Sequence, residues 1–424
     1  MTISNKISFL LFLGVVLCLA ASYSQAATRT VCYKVEIRDE RNNCPTPGTA
    51  GVKRACDPVG NYSDYVGGRI ELWDKDTSSD DEKIGTWVIG GSGTRCATFE
   101  WENASYSKGE PNPDIYLKVR RETRNTNGSG GIVRAVDANG NPYPKITWRN
   151  MGANFLANNC TAGSTCSIPS THIPSHSTTS DMAQSFMMVD SAQRVLQIYS
   201  ADMDGSTINA WYPVVNNPNG NSCATGLAWS RTDFCLPNGL GDDGDRTTHE
   251  MGHVLQMQMF NQDFLRDVII GGGWNMGTSS FETESGATTE GWAAYVGAVA
   301  WYEPNNVNTV PIFSGVNIET ATLSQSTCNN NITIPRQVAK AFWDLDDWND
   351  EAGTRAGIAD DDDERKSTTW MARQWDEFTN GTGNRDDFES GNNGVNLRDY
   401  MFRSGSSQSE TLLEHNCLGG QTNG

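Results

Sequence analysis

The chain has 424 residues, enough for two domains and their cores. Asp and Glu number 51 against 32 Lys and Arg, a net charge of −19 that argues against nucleic acid and anionic membrane as partners. The same charge suits an exported protein kept in solution by its surface, and it leaves a cationic substrate open.

Residues 1–26 read as a secretory signal peptide. Lys6 supplies the positive charge, 7–21 the apolar core, and Ser24-Gln25-Ala26 the small residues before the cut. The apolar core is short for a membrane span, and no later stretch is apolar enough to be one. The mature chain is therefore expected to be secreted, into the extracellular space or the periplasm, without membrane contact. Removing the signal takes Cys18 and leaves ten of the 11 cysteines, an even number that suggests disulfides. Cys160 and Cys166 can close one local loop, and Cys223 and Cys235 another. Cys32, Cys44, Cys56 and Cys96 can pair among themselves, which leaves Cys328 and Cys417.

From residue 27 to about 150 the pattern is strands and turns. Val31, Tyr33, Val35 and Ile37 alternate with Cys32, Lys34 and Glu36. The stretches 69–73, 85–89, 97–101 and 114–119 behave alike, separated by Gly, Asn, Asp and Pro. The expectation is an antiparallel β-sandwich over 27–150. Gly68-Arg69-Ile70-Glu71-Leu72-Trp73-Asp74 and the acidic turn after it resemble transthyretin-like secreted sandwich domains. Asp74, Asp76, Asp80 and Asp81 offer oxygens to Ca2+, but a solvated turn explains them as well.

Residues 151–424 form the second expected domain. His172 and His176 are four apart with Pro174 between them, so a loop is expected there. Residues 181–201 place Met182, Phe186, Val189, Val195, Leu196 and Tyr199 at helical spacing. Strands are expected at 208–215 and 226–230.

The chemistry centres on His249-Glu250-Met251-Gly252-His253, within a stretch free of proline. In a helix, four steps of about 100° bring both imidazoles to one face. Two nitrogens one turn apart can reach a metal ion roughly 2 Å away. Glu250 then lies beside the ion, placed to take a proton from a bound water. A third ligand must come from elsewhere, and 254–287 contains no His. The next helical stretch, 289–301, opens with Glu290 and is rich in Gly and Ala. Small residues let it approach the first helix closely, where Gly252 offers a matching gap. Glu282 and Glu284 are rival ligands.

His249-Glu250-x-x-His253 followed by Glu290-Gly291-Trp292-Ala293-Ala294-Tyr295 resembles the gluzincins, zincins whose third ligand is a Glu on a helix. The resemblance implies His249, His253 and Glu290 as Zn2+ ligands and Glu250 as general base. Ala294 stands where the thermolysin branch has an Asp that supports a ligand His. Another helix is expected at 335–348, where Asp344 or Asp347 is placed to orient a ligand His. An acidic run at 360–364 and closing helices at 368–378 and 395–402 complete the chain.

The expected protein is multidomain: an antiparallel β-sandwich followed by a mainly helical α+β zincin-like metallopeptidase domain. Its substrate would be a protein or peptide. Water activated by zinc and Glu250 would attack the carbonyl; Tyr295, Tyr400 and His415 are candidates for a second donor to the oxyanion, and spacing assigns the role to none of them. The alternative is a secreted binding or adhesion protein with a structural, non-catalytic zincin core. Glu250 argues against it, because holding zinc does not require that acid. Oligomeric state is not legible.

Overall fold

The computed structural model describes residues 27–346, apart from 102–111, 148–159, 174–180, 215–222, 225–232, 261–283, 319–333 and several shorter breaks. The expected signal peptide, the acidic run 360–364, the strand 226–230, the closing helices and the Cys328–Cys417 pair lie outside these residues.

Strand β1 (Ala27–Arg38) buries Val31, Tyr33, Val35 and Ile37 and leaves the residues between them partly open, as its alternation predicts. It runs antiparallel to β2 (Tyr62–Asp64) and β5 (Thr94–Trp101), and parallel to β9 (Thr165–Ser167) and β10 (Thr171–Ile173). Cys32 and Cys96 are register partners on β1 and β5 and are bonded to each other. Disulfides also join Cys44 to Cys56 and Cys160 to Cys166. Cys235 is disulfide-bonded too, and its register partner is Cys223.

The larger sheet has eight strands. Its order is β12 (Cys223–Ala224), β13 (Asp233–Pro237), β11 (Thr207–Val214), β7 (Ile132–Val136), β6 (Ile115–Arg124), β3 (Gly68–Asp74) and β4 (Glu82–Val88), with β8 (Ile146–Thr147) also on β6. The sheet is mixed, not antiparallel throughout: β7 runs parallel to β11, and β11 to β13. Parallel neighbours need a crossover, and a helix, α1 (Asp181–Tyr199), lies in the β7–β11 connection. Both sheets take strands from each side of residue 150, where the sequence suggests a boundary.

Three further helices are described: α2 (Gly244–Phe260), α3 (Glu284–Trp301) and α4 (Pro335–Asp346). Helix α1 packs on β6, β7 and β11 with its other side towards α2; α2 packs on α3, and α3 on α4. Phe186, Val189, Val195, Leu196 and Tyr199 of α1 are buried as their spacing predicts, in one core shared by sheets and helices. Asp190 of α1 is buried between Arg41 and Arg54, each 2.6 Å away. Burial pushes its carboxyl up, but Arg54, Arg41 and Arg194 outweigh that and hold it below its ordinary value.

A small hairpin follows α3, built of β14 (Ile312–Phe313) and β15 (Val316–Asn317). Its turn residues, Ser314 (φ 48°) and Gly315 (φ 76°), are both left-handed, the pairing that suits a two-residue hairpin loop. Among the described residues no helix is long and apolar enough to cross a membrane.

Candidate metal centre

Helix α2 starts where Asp243 caps it: Asp243 Oδ1 accepts the Arg246 N–H at 2.9 Å, and its carbonyl accepts the Thr247 N–H. With no proline inside, the helix continues to Phe260. His249 and His253 therefore leave it one turn apart on one face.

Helix α3 crosses at the gap that Gly252 leaves. A Cβ on Gly252 would sit 2.8 Å from Ala293 Cα and 3.1 Å from Ala293 O, so no larger residue fits without moving backbone. Glu290 lies one turn before Ala293 and is carried to the two imidazoles. His249 Nε2 is 3.1 Å from Glu290 Oε2 and 3.1 Å from His253 Nε2, and His253 Nε2 is 3.5 Å from Glu290 Oε1. Three ligand atoms about 2.1 Å from one ion, at tetrahedral angles, stand about 3.4 Å apart. The spacing thus fits one face of a metal's coordination shell. Among the described residues this is the one cluster of three such side chains, all partly or fully buried.

The electrostatics agree. Burial alone would lift the Glu290 carboxyl, but His253 and His249 hold it well below the usual carboxylate range. Burial would lower His253, but Glu290 outweighs it and leaves the imidazole raised. Two imidazole nitrogens facing each other at 3.1 Å need a proton or a cation between them. Glu250, beside the pair in sequence, is buried, and desolvation raises its carboxyl against the pull of His249 and His253. These residues fit a divalent metal ion.

One contact touches a ligand, and two others hold its neighbours on α2. The Phe313 ring stacks on His249, 5.9 Å between centroids and 28° between planes. Trp301 Nε1 donates to Thr248 Oγ1 at 3.3 Å. The Ser314 N–H donates to Asp245 Oδ2 at 2.8 Å, while Asp245 Oδ1 is buried without a partner. Burial raises the Asp245 carboxyl to about 8. Phe313, Trp301 and Asp245 were not expected from sequence. Only the reach of the hairpin and of the α3 end back to α2 gives them roles.

Residues from the connection between β1 and β2 also touch this region. The Asn43 carbonyl accepts the Asp245 N–H at 3.2 Å, and Asn43 Nδ2 donates to Asp243 Oδ2 at 3.1 Å. The Lys53 N–H donates to the Trp301 carbonyl at 2.9 Å, and Lys53 Nζ to the Val299 carbonyl at 2.9 Å. The loop closed by Cys44–Cys56 therefore grips the start of α2 and the end of α3.

Other expected residues are placed differently. Tyr295 is buried and donates to Asp346 Oδ2 at 2.7 Å, so its hydroxyl is committed to a helix–helix contact. Asp344 lies 3.9 Å from Lys340 on its own helix. His249 Nδ1 is buried with no hydrogen-bond partner, so Asp344 does not hold that nitrogen. Glu284 opens α3, while Glu282, Asp347, Tyr400 and His415 lie outside the described residues. His172 is on β10 opposite Glu36, and His176 is outside the description. Asp74 accepts the Asp114 N–H and Asp81 the Tyr116 hydroxyl, and they form no metal cluster among the described residues; Asp76 lies outside them.

No protein-family model matches the chain, and no curated protein matches it. Among solved structures, a 9R-lipoxygenase from Cyanothece PCC8801 aligns over 45% of this chain and 27% of its own, at 13% identity. Its TM-score is 0.20, and a likeness that low carries no argument about fold or chemistry.

Proposed function

We propose that the chain is a secreted zinc metallopeptidase with a gluzincin-like catalytic half. His249, His253 and Glu290 would hold the ion, and Glu250 would be the general base. One observation carries this reading: three donor atoms from two helices meet 3.1–3.5 Å apart. Two nitrogens and one oxygen suit Zn2+ among the common divalent ions. Bound there, zinc supplies Lewis acidity to a carbonyl and to water.

The side chains of the chain do the rest. Glu290 contributes the negative charge that two neutral imidazoles lack. Phe313 fixes the plane of the His249 ring. Glu250 accepts a proton from the attacking water and returns it to the leaving amine. Burial raises its carboxyl, which makes its carboxylate the stronger base. The disulfides support folding in an oxidising compartment.

The test is hydrolysis of casein or gelatin with and without a chelator, beside Glu250→Gln. Chelation is expected to stop cleavage. Glu250→Gln is expected to keep its fold and zinc and to lose at least about a hundredfold in kcat. Full activity in that variant refutes the assigned base. Zinc binding without cleavage of any protein substrate favours a structural metal core in a binding protein.

A further inference from the structure

A metal-bound histidine ordinarily donates its second ring N–H to a carboxylate, a carbonyl or water, and that bond sets the plane of the ring. His249 Nδ1 is buried and has no hydrogen-bond partner among the described residues. An aromatic ring packs against this imidazole instead, and an acid one turn away holds that ring's neighbour.

Asp245, His249 and His253 follow one another at intervals of four on α2, so they form one stripe along the helix. Two consecutive residues of the β14–β15 hairpin lie along that stripe. Ser314 donates its N–H to Asp245 Oδ2 at 2.8 Å, and the Phe313 ring stacks on His249 one turn further on. The hairpin is pinned elsewhere too. The Tyr302 hydroxyl is hydrogen-bonded to the Ile312 backbone, and the Ile318 N–H donates to the Pro311 carbonyl at 2.9 Å. Helix α3 leaves room for the ring: a Cβ on Gly297 would lie 2.4 Å from Phe313. Gly297 follows Glu290 by two turns and so lies on the same side of α3. Phe313, buried to 5% exposure, is thus wedged between the two helices that carry the ligands.

We propose that Asp245 is a positioning residue of the metal centre, acting on His249 through this hairpin. Asp245 is not one of the three clustered ligands. It fixes the height of the turn along α2. The turn fixes the Phe313 ring, and the ring fixes the plane in which His249 Nε2 faces Glu290 and His253. The acid therefore does through two hairpin residues what a direct bond to Nδ1 does elsewhere. The proposal rests on the metal-binding part of the reading above and not on the cleavage.

The experiment has two readouts. Zinc affinity is measured by competition with a chromophoric chelator. In metal-free protein the His249 ring protons are followed by NMR, assigned with His249→Gln. Stacking on Phe313 is expected to displace those signals upfield. Phe313→Leu, which keeps an apolar filler, should return them towards ordinary histidine positions and weaken zinc binding by roughly 10–100-fold. Asp245→Ala should move both readouts in the same direction. Asp245→Leu, closer in volume, takes its place if the Ala variant fails to fold. Asp245→Asn keeps an acceptor for the Ser314 N–H and should restore both readouts. Absorption of the Co2+-loaded protein at saturating metal should change in Asp245→Ala and not in Asp245→Asn, which a mere loss of stability would not produce. Native zinc affinity and native His249 signals in Asp245→Ala or Asp245→Leu overturn the proposal, as does an Asn variant as weak as the Ala one. Native protein that binds no zinc overturns the metal reading and the proposal together. Zinc held tightly with nothing cleaved removes the peptidase reading and leaves the proposal standing.

Discussion

Glu290 is the residue on which the centre balances. It is the one acid within reach of both imidazoles among the described residues, and it is ionised because they are there. Glu290→Gln keeps the shape and removes the charge. Zinc affinity, measured by competition with a chromophoric chelator, should fall by more than the roughly 10–100-fold typical of losing an outer partner. Asp245 makes a different prediction, about pH. Its carboxyl titrates near 3.8 when unfolded and at about 8 when folded. Between those values the folded state holds a proton that the unfolded state lacks, so stability falls as pH rises and levels off above 8. The N-terminal position in α2 favours the anion by only about 0.3–2 kcal/mol, and burial outweighs it. Asp245→Asn should raise Tm at pH 8 by an amount worth about 1–3 kcal/mol, and the gain should vanish near pH 4. Thermal scans across that range check it. The trio His249, His253 and Glu290 was legible because helical geometry turns sequence spacing into position. Asp245 was not: nothing in its neighbours announces a hairpin N–H arriving from Ser314.

At the scale of elements, the crossing of α2 and α3 decides whether the ligands meet. Gly252→Ala places a methyl 2.8 Å from Ala293 Cα, and backbone must yield. We expect a loss of about 1–3 kcal/mol in denaturant unfolding. Zinc affinity should weaken with it, because Glu290 rides on the displaced helix. The need for small residues here was readable from Gly252 and Ala293, while Gly291 makes room for Val338 of α4 and Gly297 for the Phe313 ring. Helices α1 and α4 were readable from their apolar spacing and β1 from its alternation; α3 was read only over 289–301, and the structure starts it at Glu284. Strands β7 and β13 were missed. Each is five residues long, and β13, Asp-Phe-Cys-Leu-Pro, is buried on both faces. A strand covered on both faces, as β13 is, shows no alternation to read.

For the whole molecule, the mixed sheet matters most. Strand β7 pairs with β11 across the place where the sequence suggested a boundary. Chains cut at residue 150 would each expose an unpaired strand edge inside a shared core. Neither 27–150 nor 151–424 should give the dispersed NMR spectrum of a folded domain when expressed alone, while the intact chain should. Parallel pairing escapes sequence reading because it joins residues some seventy-five positions apart, such as Ile132 and Thr207, with no local mark.

The loop between Cys44 and Cys56 has one more consequence. Neither cysteine is among the ligands, yet Asn43 and Lys53, near the two ends of that loop, hold the helices that bear the histidines and the glutamate. A gentle thiol reductant should therefore make the protein surrender its ion to a weaker competitor than before, although no cysteine ever touched that ion. The grip on the cation would answer to the redox state of its surroundings from a distance.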